Sequence, residues 1–184
     1  MEAFFLGTLA VAILDAFQRG SGWQDAYLEV AREAARRSGR PRPLEPIDSG
    51  MEAAVYATTD PRVVLRVTHR ETLGNELAFL DEDLSGGVTP VLGWVEVGDF
   101  VVTWKERVTP SVRWFLAKRP QGDRIAQLPC GLYHIHRSEL RELATYPETR
   151  GLAEAIHHGL PVNDLDLDSN LGVTEDGRIV AFDL

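Results

Sequence analysis

Cysteine is almost missing from the 184 residues: Cys130 stands alone. A single thiol excludes an intramolecular disulfide and fits a reducing compartment, so the expected location is cytoplasmic. Long apolar runs are missing too. Residues 3–14 are apolar, but Asp15 interrupts them before membrane-spanning length, and no membrane partner is expected. Glu2 stands where a secretory leader would carry basic residues, so a leader is not expected either. Positive charge is in deficit, 19 Lys and Arg against 28 Asp and Glu, for a net charge of −9. That balance argues against nucleic acid as a partner, because a non-specific grip on phosphates needs a basic surface. There is no internal repeat and no low-complexity tract. What remains is an ordinary globular composition, 44% hydrophobic and 26% charged, long enough to bury a real core.

The apolar pattern changes period along the chain. Residues 3–18 predict a helix buried on most sides, and Arg19-Gly20-Ser21-Gly22 breaks it. Residues 24–38 predict a second helix, with Tyr27, Val30, Ala31 and Ala34 on one face and Arg32, Arg36 and Arg37 toward its C-terminal end. Gly39 ends it, and Pro41 and Pro43 predict a stiff linker. This front part is expected to pack on the domain as a helical hairpin, with an oligomer or partner contact as the alternative.

Strand signals follow. Residues 53–58 and 63–68 flank the turn Thr59-Asp60-Pro61, and residues 91–97 and 100–108 flank Gly98-Asp99. Between the pairs, residues 71–84 predict a helix stopped by Ser85-Gly86-Gly87. Thr109-Pro110 predicts the start of a short helix around Trp114, and residues 119–133 read as irregular. Thr145-x-x-Glu148 with Pro147 predicts a capping box opening a helix that Gly159 closes. The chain ends in a predicted hairpin: Leu171-Gly172-Val173, the turn Thr174-Glu175-Asp176-Gly177, then a strand from Arg178 to Phe182. Such a hairpin brings Asn170 and Asp183 to one end, where two oxygen ligands suit a hard cation such as Mg²⁺.

Five stretches in this order resemble the protein kinases, in a very short form, from residue 49 onward. Ser49-Gly50-Met51-Glu52-Ala53-Ala54-Val55-Tyr56 resembles the glycine-rich loop. Val63-Val64-Leu65-Arg66 lies where the family carries its third-strand lysine, and Asn75-Glu76-Leu77 where a helix glutamate pairs with it. Glu106-Arg107-Val108 resembles the hinge, and Asn170 and Asp183 match the two magnesium ligands. The resemblance implies an α+β fold: a small antiparallel-sheet lobe with one helix (residues 45–108) and an abbreviated helical lobe ending in a hairpin (109–184). A helical extension (1–40) precedes them.

The resemblance also implies roles. ATP and Mg²⁺ would be the cofactors. Gly50 would approach the phosphates, Arg66 held by Glu76 would bind them, and backbone groups of Glu106 and Val108 would meet the adenine. Asn170 and Asp183 would hold the metal, and Asp164 or Asp166 would orient an acceptor hydroxyl on a protein Ser or Thr, or on a small molecule. The departures point to a second reading, a pseudokinase that binds without transferring phosphate. Gly50 is the one glycine kept in the loop, Arg66 replaces a lysine, and Leu165 occupies the place five before Asn170 where the base is expected, with Asp164 and Asp166 one step to either side. No activation segment follows Asp183 in this sequence; abbreviated bacterial effector kinases are similar, and an effector would act in a host cytoplasm. Lys105 could replace the missing lysine charge, with a surface position as the plainer expectation.

Two other patterns compete for the same residues. Asp164, Asp166, Asp168, Asn170 and Glu175 fall at the ligand spacing of a calcium loop, but Ser169 stands where that loop needs glycine. Cys130, His134 and His136, with His157 or His158, offer zinc ligands at no standard spacing.

Overall fold

The computed structural model describes residues 23–49, 53–71, 86–110, 112, 118, 137–160 and 170–182. The chain divides into two units, Met1–Gly74 with Val91–Arg107, and Asn75–Pro90 with Val108–Leu184. The described residues form an α+β protein with a five-stranded antiparallel sheet and few helices.

The first unit begins with helix α1 (Trp23–Ser38). Its predicted face is its buried face: Val30, Ala31 and Ala34 are fully buried and Tyr27 nearly so. Small residues at these positions let the helix lie close to a sheet. On the opposite side Glu33 takes two bonds from Arg36, at 2.8 Å each, and one from Arg37 at 2.7 Å. These bonds, Arg36 first, draw the Glu33 carboxyl down to about 2. The helix ends at Gly39, which adopts φ 66° and donates its N–H to Ala35 O. A left-handed residue at that place costs glycine little.

The sheet runs β1-β2-β3-β5-β4, all pairs antiparallel, with β1 Pro43–Ser49, β2 Ala53–Thr58, β3 Val63–His69, β4 Val91–Val97 and β5 Phe100–Glu106. The predicted strands at 53–58 and 91–97 are present with the same bounds, and 63–68 gains one residue. Strand β1 corrects the expectation of a linker after Pro41. A proline lacks the N–H that an inner strand needs, but β1 is an edge strand and its register shifts at Pro46. Two edges of sequence grammar thus hid a strand behind Pro43 and Pro46. β5 ends at Glu106 rather than Val108; beyond it Arg107 donates its N–H to Arg62 O at 2.7 Å.

Alternation sorts the two faces. Leu65, Val67, Val102, Trp104, Ala54 and Tyr56 face α1 and make one core with Val30 and Ala34. Side chains of this size contribute about 1.5–3 kcal/mol each when fully buried. Trp104 is fully buried, and its indole N–H donates to Pro41 O at 3.0 Å while the Arg40 guanidinium lies 5.7 Å from the ring centre. The Tyr56 hydroxyl donates to Gln24 O at 3.3 Å, and burial is the main cause that pushes this phenol up to about 12.

In the second unit helix α2 (Arg137–Thr145) and helix α3 (Arg150–His157) pack around strands β6 (Thr109–Pro110), β7 (Leu171–Val173) and β8 (Ile179–Ala181). Leu143, Leu152, Ala155, Leu171 and Ile179 are central to its core. Two expectations are corrected here. Thr109 and Pro110 pair with Val173 and Gly172 as a strand instead of opening a helix. Thr145 ends α2 and donates its hydroxyl to Glu142 O, so it caps no following helix. The N-cap of α3 is Thr149, whose buried hydroxyl donates back to Leu143 O at 2.6 Å and makes no capping bond. Gly159 closes α3 as expected, at φ 105°. The helices predicted at 3–18 and 71–84, and the one around Trp114, lie outside the described residues.

Candidate functional site

Two places carry the candidate residues, one in each unit. The first is the sheet face that points away from α1. Val64 and Arg66 alternate with the core residues Leu65 and Val67, so they stand on this second face. Register extends the assignment across strands. Arg66 pairs with Val55 on β2 and Thr103 on β5; Val64 pairs with Lys105, which pairs on its other side with Val91. Arg66 is therefore on the third strand, half-buried, with Lys105 one diagonal step away on the same face. Lys105 is 6% exposed, which overturns the expectation of a surface lysine. A lysine so far from water belongs to an environment that accepts its charge.

The sequence held a signal for this that simple alternation misses. Phe100-Val101-Val102-Thr103-Trp104 has no polar-apolar alternation, which marks a central strand buried on both faces. Lys105 continues that strand one residue further and inherits the burial. Glu106 pairs with Val63 and is half-buried at the end of β5. Gly50, the connection between β1 and β2, and Glu76 both lie outside the described residues.

The second place is the open end of the hairpin. β7 and β8 pair Leu171 with Ala181, Gly172 with Val180 and Val173 with Ile179. The Phe182 N–H donates to Asn170 O at 3.0 Å, so the ladder closes one step beyond the strands. Asn170, half-buried, thus stands directly across from Phe182, the residue before Asp183. At the other end the turn is tightly bonded. Arg178 N–H donates to the Thr174 hydroxyl at 2.9 Å, the Thr174 hydroxyl donates to Asp176, and Arg178 Nε donates to Asp176 at 2.7 Å. The Thr174 bond first, and the Arg178 bond second, hold the Asp176 carboxyl below its ordinary range. Gly177 supplies the positive φ, 86°, that the turn requires.

Other contacts fix where this hairpin sits within its unit. Residues 86–90 run beside β8: Ala181 N–H donates to Gly87 O at 2.9 Å, and Thr89 N–H donates to Ala181 O at 2.8 Å. Val108 lies against Gly172, where an added Cβ would meet its Cγ2 at 2.6 Å. Val108 belongs to the second unit and Glu106 to the first.

Asp164, Asp166, Asp168 and Asp183 lie outside the described residues, as do Cys130, His134 and His136. Among the described residues no three His, Cys, Asp or Glu side chains are grouped to hold a metal ion. Asn170 itself presents a neutral oxygen donor of the hard type that Mg²⁺ accepts. Glu175, the last position of the calcium spacing, is an exposed turn residue followed by a strand rather than a helix. His157 and His158 are exposed at the end of α3, with ring centres 5.6 Å apart in an edge-to-face contact. Among the described residues no helix is long and apolar enough to cross a membrane.

The sequence matches none of the known family models, and no curated protein sequence is similar to it at a significant level.

Proposed function

We propose that this chain is a minimal kinase-like protein that binds ATP with Mg²⁺ and transfers a phosphoryl group to a hydroxyl, with a protein Ser or Thr as the acceptor class. The observation that carries the reading is the closed hairpin end, where Asn170 O accepts from the N–H of Phe182, the residue before Asp183 in sequence. Asn170 and Asp183 are the donor pair that the resemblance assigns to the metal. The position of Arg66 on the third strand of a five-stranded antiparallel sheet supports the same reading from the first unit. Phosphoryl transfer asks mainly for positioning and neutralisation of charge, which a basic strand residue, a metal pair and one oriented acid would supply.

Binding without transfer is the second reading, favoured by Leu165 at the expected place of the base. A thermal-shift titration with ATP, with and without Mg²⁺, tests the first step. Ligand at a hundred times its Kd stabilises a protein by about 2.7 kcal/mol, an easily read shift. The Mg²⁺-dependent part of that shift is expected to vanish in Asn170→Ala and in Asp183→Ala. No shift with nucleotide under either condition sinks the proposal. Labelled-ATP transfer that survives in Asp164→Ala but not in Asp166→Ala names the acid, or the reverse. A full shift with no transfer in the wild type selects the second reading.

A further inference from the structure

We propose that β4 is the contact strand of a homodimer: its outer edge takes β4 of a second copy of this chain, antiparallel, about a two-fold axis through Trp94. The five-stranded sheet has two edges, β1 and β4, and they are not equivalent. β1 carries Pro43 and Pro46 and shifts register twice. Prolines and bulges are devices that stop an edge from pairing further. β4 carries no proline. Its one register shift lies between Val91 and Gly93, and from Gly93 to Val97 it pairs residue by residue with β5. Its one charged side chain, Glu96, is held by Arg70 at 2.6 Å. Among the described residues nothing pairs with the outer side of β4. A regular edge rich in valine and without a blocking residue is a template for another strand.

The side chains point to what that strand is. Leu92 and Trp94 are 45% and 49% exposed. An indole left half in water on an edge strand is the residue type that anchors interfaces. The strand is also its own match. Turned about Trp94, Val91 falls opposite the partner's Val97, and Trp94 falls opposite the partner's Trp94. Directly opposed residues hold their Cβ atoms about 4.5–5.5 Å apart, so each indole covers the other. Charge then selects a second copy over another occupant. Where β4 begins, the sheet end carries Arg40, Arg42, Arg62, Lys105 and Arg107 against Glu45, Asp60 and Glu106. Where β4 finishes, it carries Asp48, Glu71, Glu96 and Asp99 against Arg70. Antiparallel pairing lays the basic end of each copy beside the acidic end of the other, and the symmetry makes that match twice. A strand of uniform charge would suit one end and repel the other.

Sedimentation velocity of the full chain over a dilution series tests the contact. The expected result is a dimer that dissociates on dilution. Trp94→Lys is expected to raise the dimer Kd about thirtyfold or more, the scale of a lost interface anchor, with its far-ultraviolet circular dichroism unchanged. Leu44→Lys, at a position of β1 that is 54% exposed, is expected to leave the Kd within about twofold. A covalent trap does not depend on the Trp94→Lys result. In a Cys130→Ser chain under mild oxidation, the Trp94→Cys variant is expected to link as a dimer, because opposed positions at this spacing suit a disulfide, and the Leu44→Cys variant is expected to stay monomeric. A wild-type chain that is monomeric into the millimolar range overturns the proposal, whatever other strand the edge then takes. A dimer that Trp94→Lys leaves intact, or that is trapped through Leu44→Cys and not through Trp94→Cys, overturns it as well.

Discussion

Replacing Gly151 by alanine sets two forces of opposite sign against each other. Gly151 is the second residue of α3 with ordinary helical backbone, where alanine is favoured over glycine by about 1 kcal/mol. On propensity alone the variant gains stability. Packing says otherwise. A Cβ on Gly151 would lie 2.0 Å from Gly86 O and 2.2 Å from Gly86 C, far short of the 3.4–4 Å of ordinary contact. Both atoms are backbone, so no rotamer change relieves the clash. The converse holds as well: a Cβ on Gly87 would meet Gly151 O at 2.4 Å. The neighbouring segment must therefore move, and that segment holds two bonds to β8, Ala181 N–H to Gly87 O and Thr89 N–H to Ala181 O. Overpacking costs about 1–3 kcal/mol and each disturbed bond about 1 kcal/mol. Set against the helical gain, the net loss is about 2–4 kcal/mol. Equilibrium urea unfolding measures it, and hydrogen exchange at the Thr89 and Ala181 amides localises it to the second unit. Gly39→Ala is the control: nothing lies within 4 Å of its added Cβ, so only the φ of 66° is taxed. A Gly151→Ala variant stabilised by about 1 kcal/mol, with both amides as protected as before, would refute the close approach of the two segments.

Two further outcomes test the first unit. Trp104→Phe removes the N–H that reaches Pro41 O and part of the surface under Arg40, at a fully buried site. A loss of about 2 kcal/mol in urea unfolding is expected from the cavity and the orphaned carbonyl together, and a loss under about 0.5 kcal/mol counts against that packing. Glu33→Gln tests the charge cluster on α1. Its carboxyl is drawn from 4.5 down to about 2 in the folded chain, so its contribution is full above pH 4.5 and fades as pH falls through about 2. With solvent screening the contribution is on the order of 1 kcal/mol. The variant is expected to be less stable than the wild type by that amount at pH 7, and the two are expected to converge as the pH is lowered toward 2. A gap that is as wide at acid pH as at neutral pH would assign the loss to something other than this ionisation.

Where side-chain period and turn chemistry agree, the sequence was enough. The face of α1 could be read from Tyr27, Val30, Ala31 and Ala34, and β2 and β4 could be bounded to the residue, because each is flanked by turns such as Thr59-Asp60-Pro61 and Gly98-Asp99. The final hairpin was legible for the same reason, with Asp176-Gly177 at its turn. Local rules failed where tertiary pairing decides. Pro43 and Pro46 forbid an inner strand, but only the neighbouring β2 reveals that β1 lies at an edge. Thr145 and Glu148 have capping-box spacing, yet the Thr149 hydroxyl is taken by Leu143 O and the helix starts later. Thr109 and Pro110 look like a helix start, and only the open edge of β7 makes them a strand. Of the candidate site, the strand that carries Arg66 and the hairpin that Asn170 opens follow from pattern. The burial of Lys105 does not, because it depends on what flanks β5 on both sides.

The two faces of the five-stranded sheet carry different side chains. Leu65 and Trp104 face α1, and their removal is a matter of lost apolar burial. Arg66 and Lys105 face the other way, one residue from Leu65 and Trp104 respectively. Leu65→Ala is therefore expected to cost about 2–5 kcal/mol in urea unfolding, and a loss under about 1 kcal/mol would count against the packing of this face on α1.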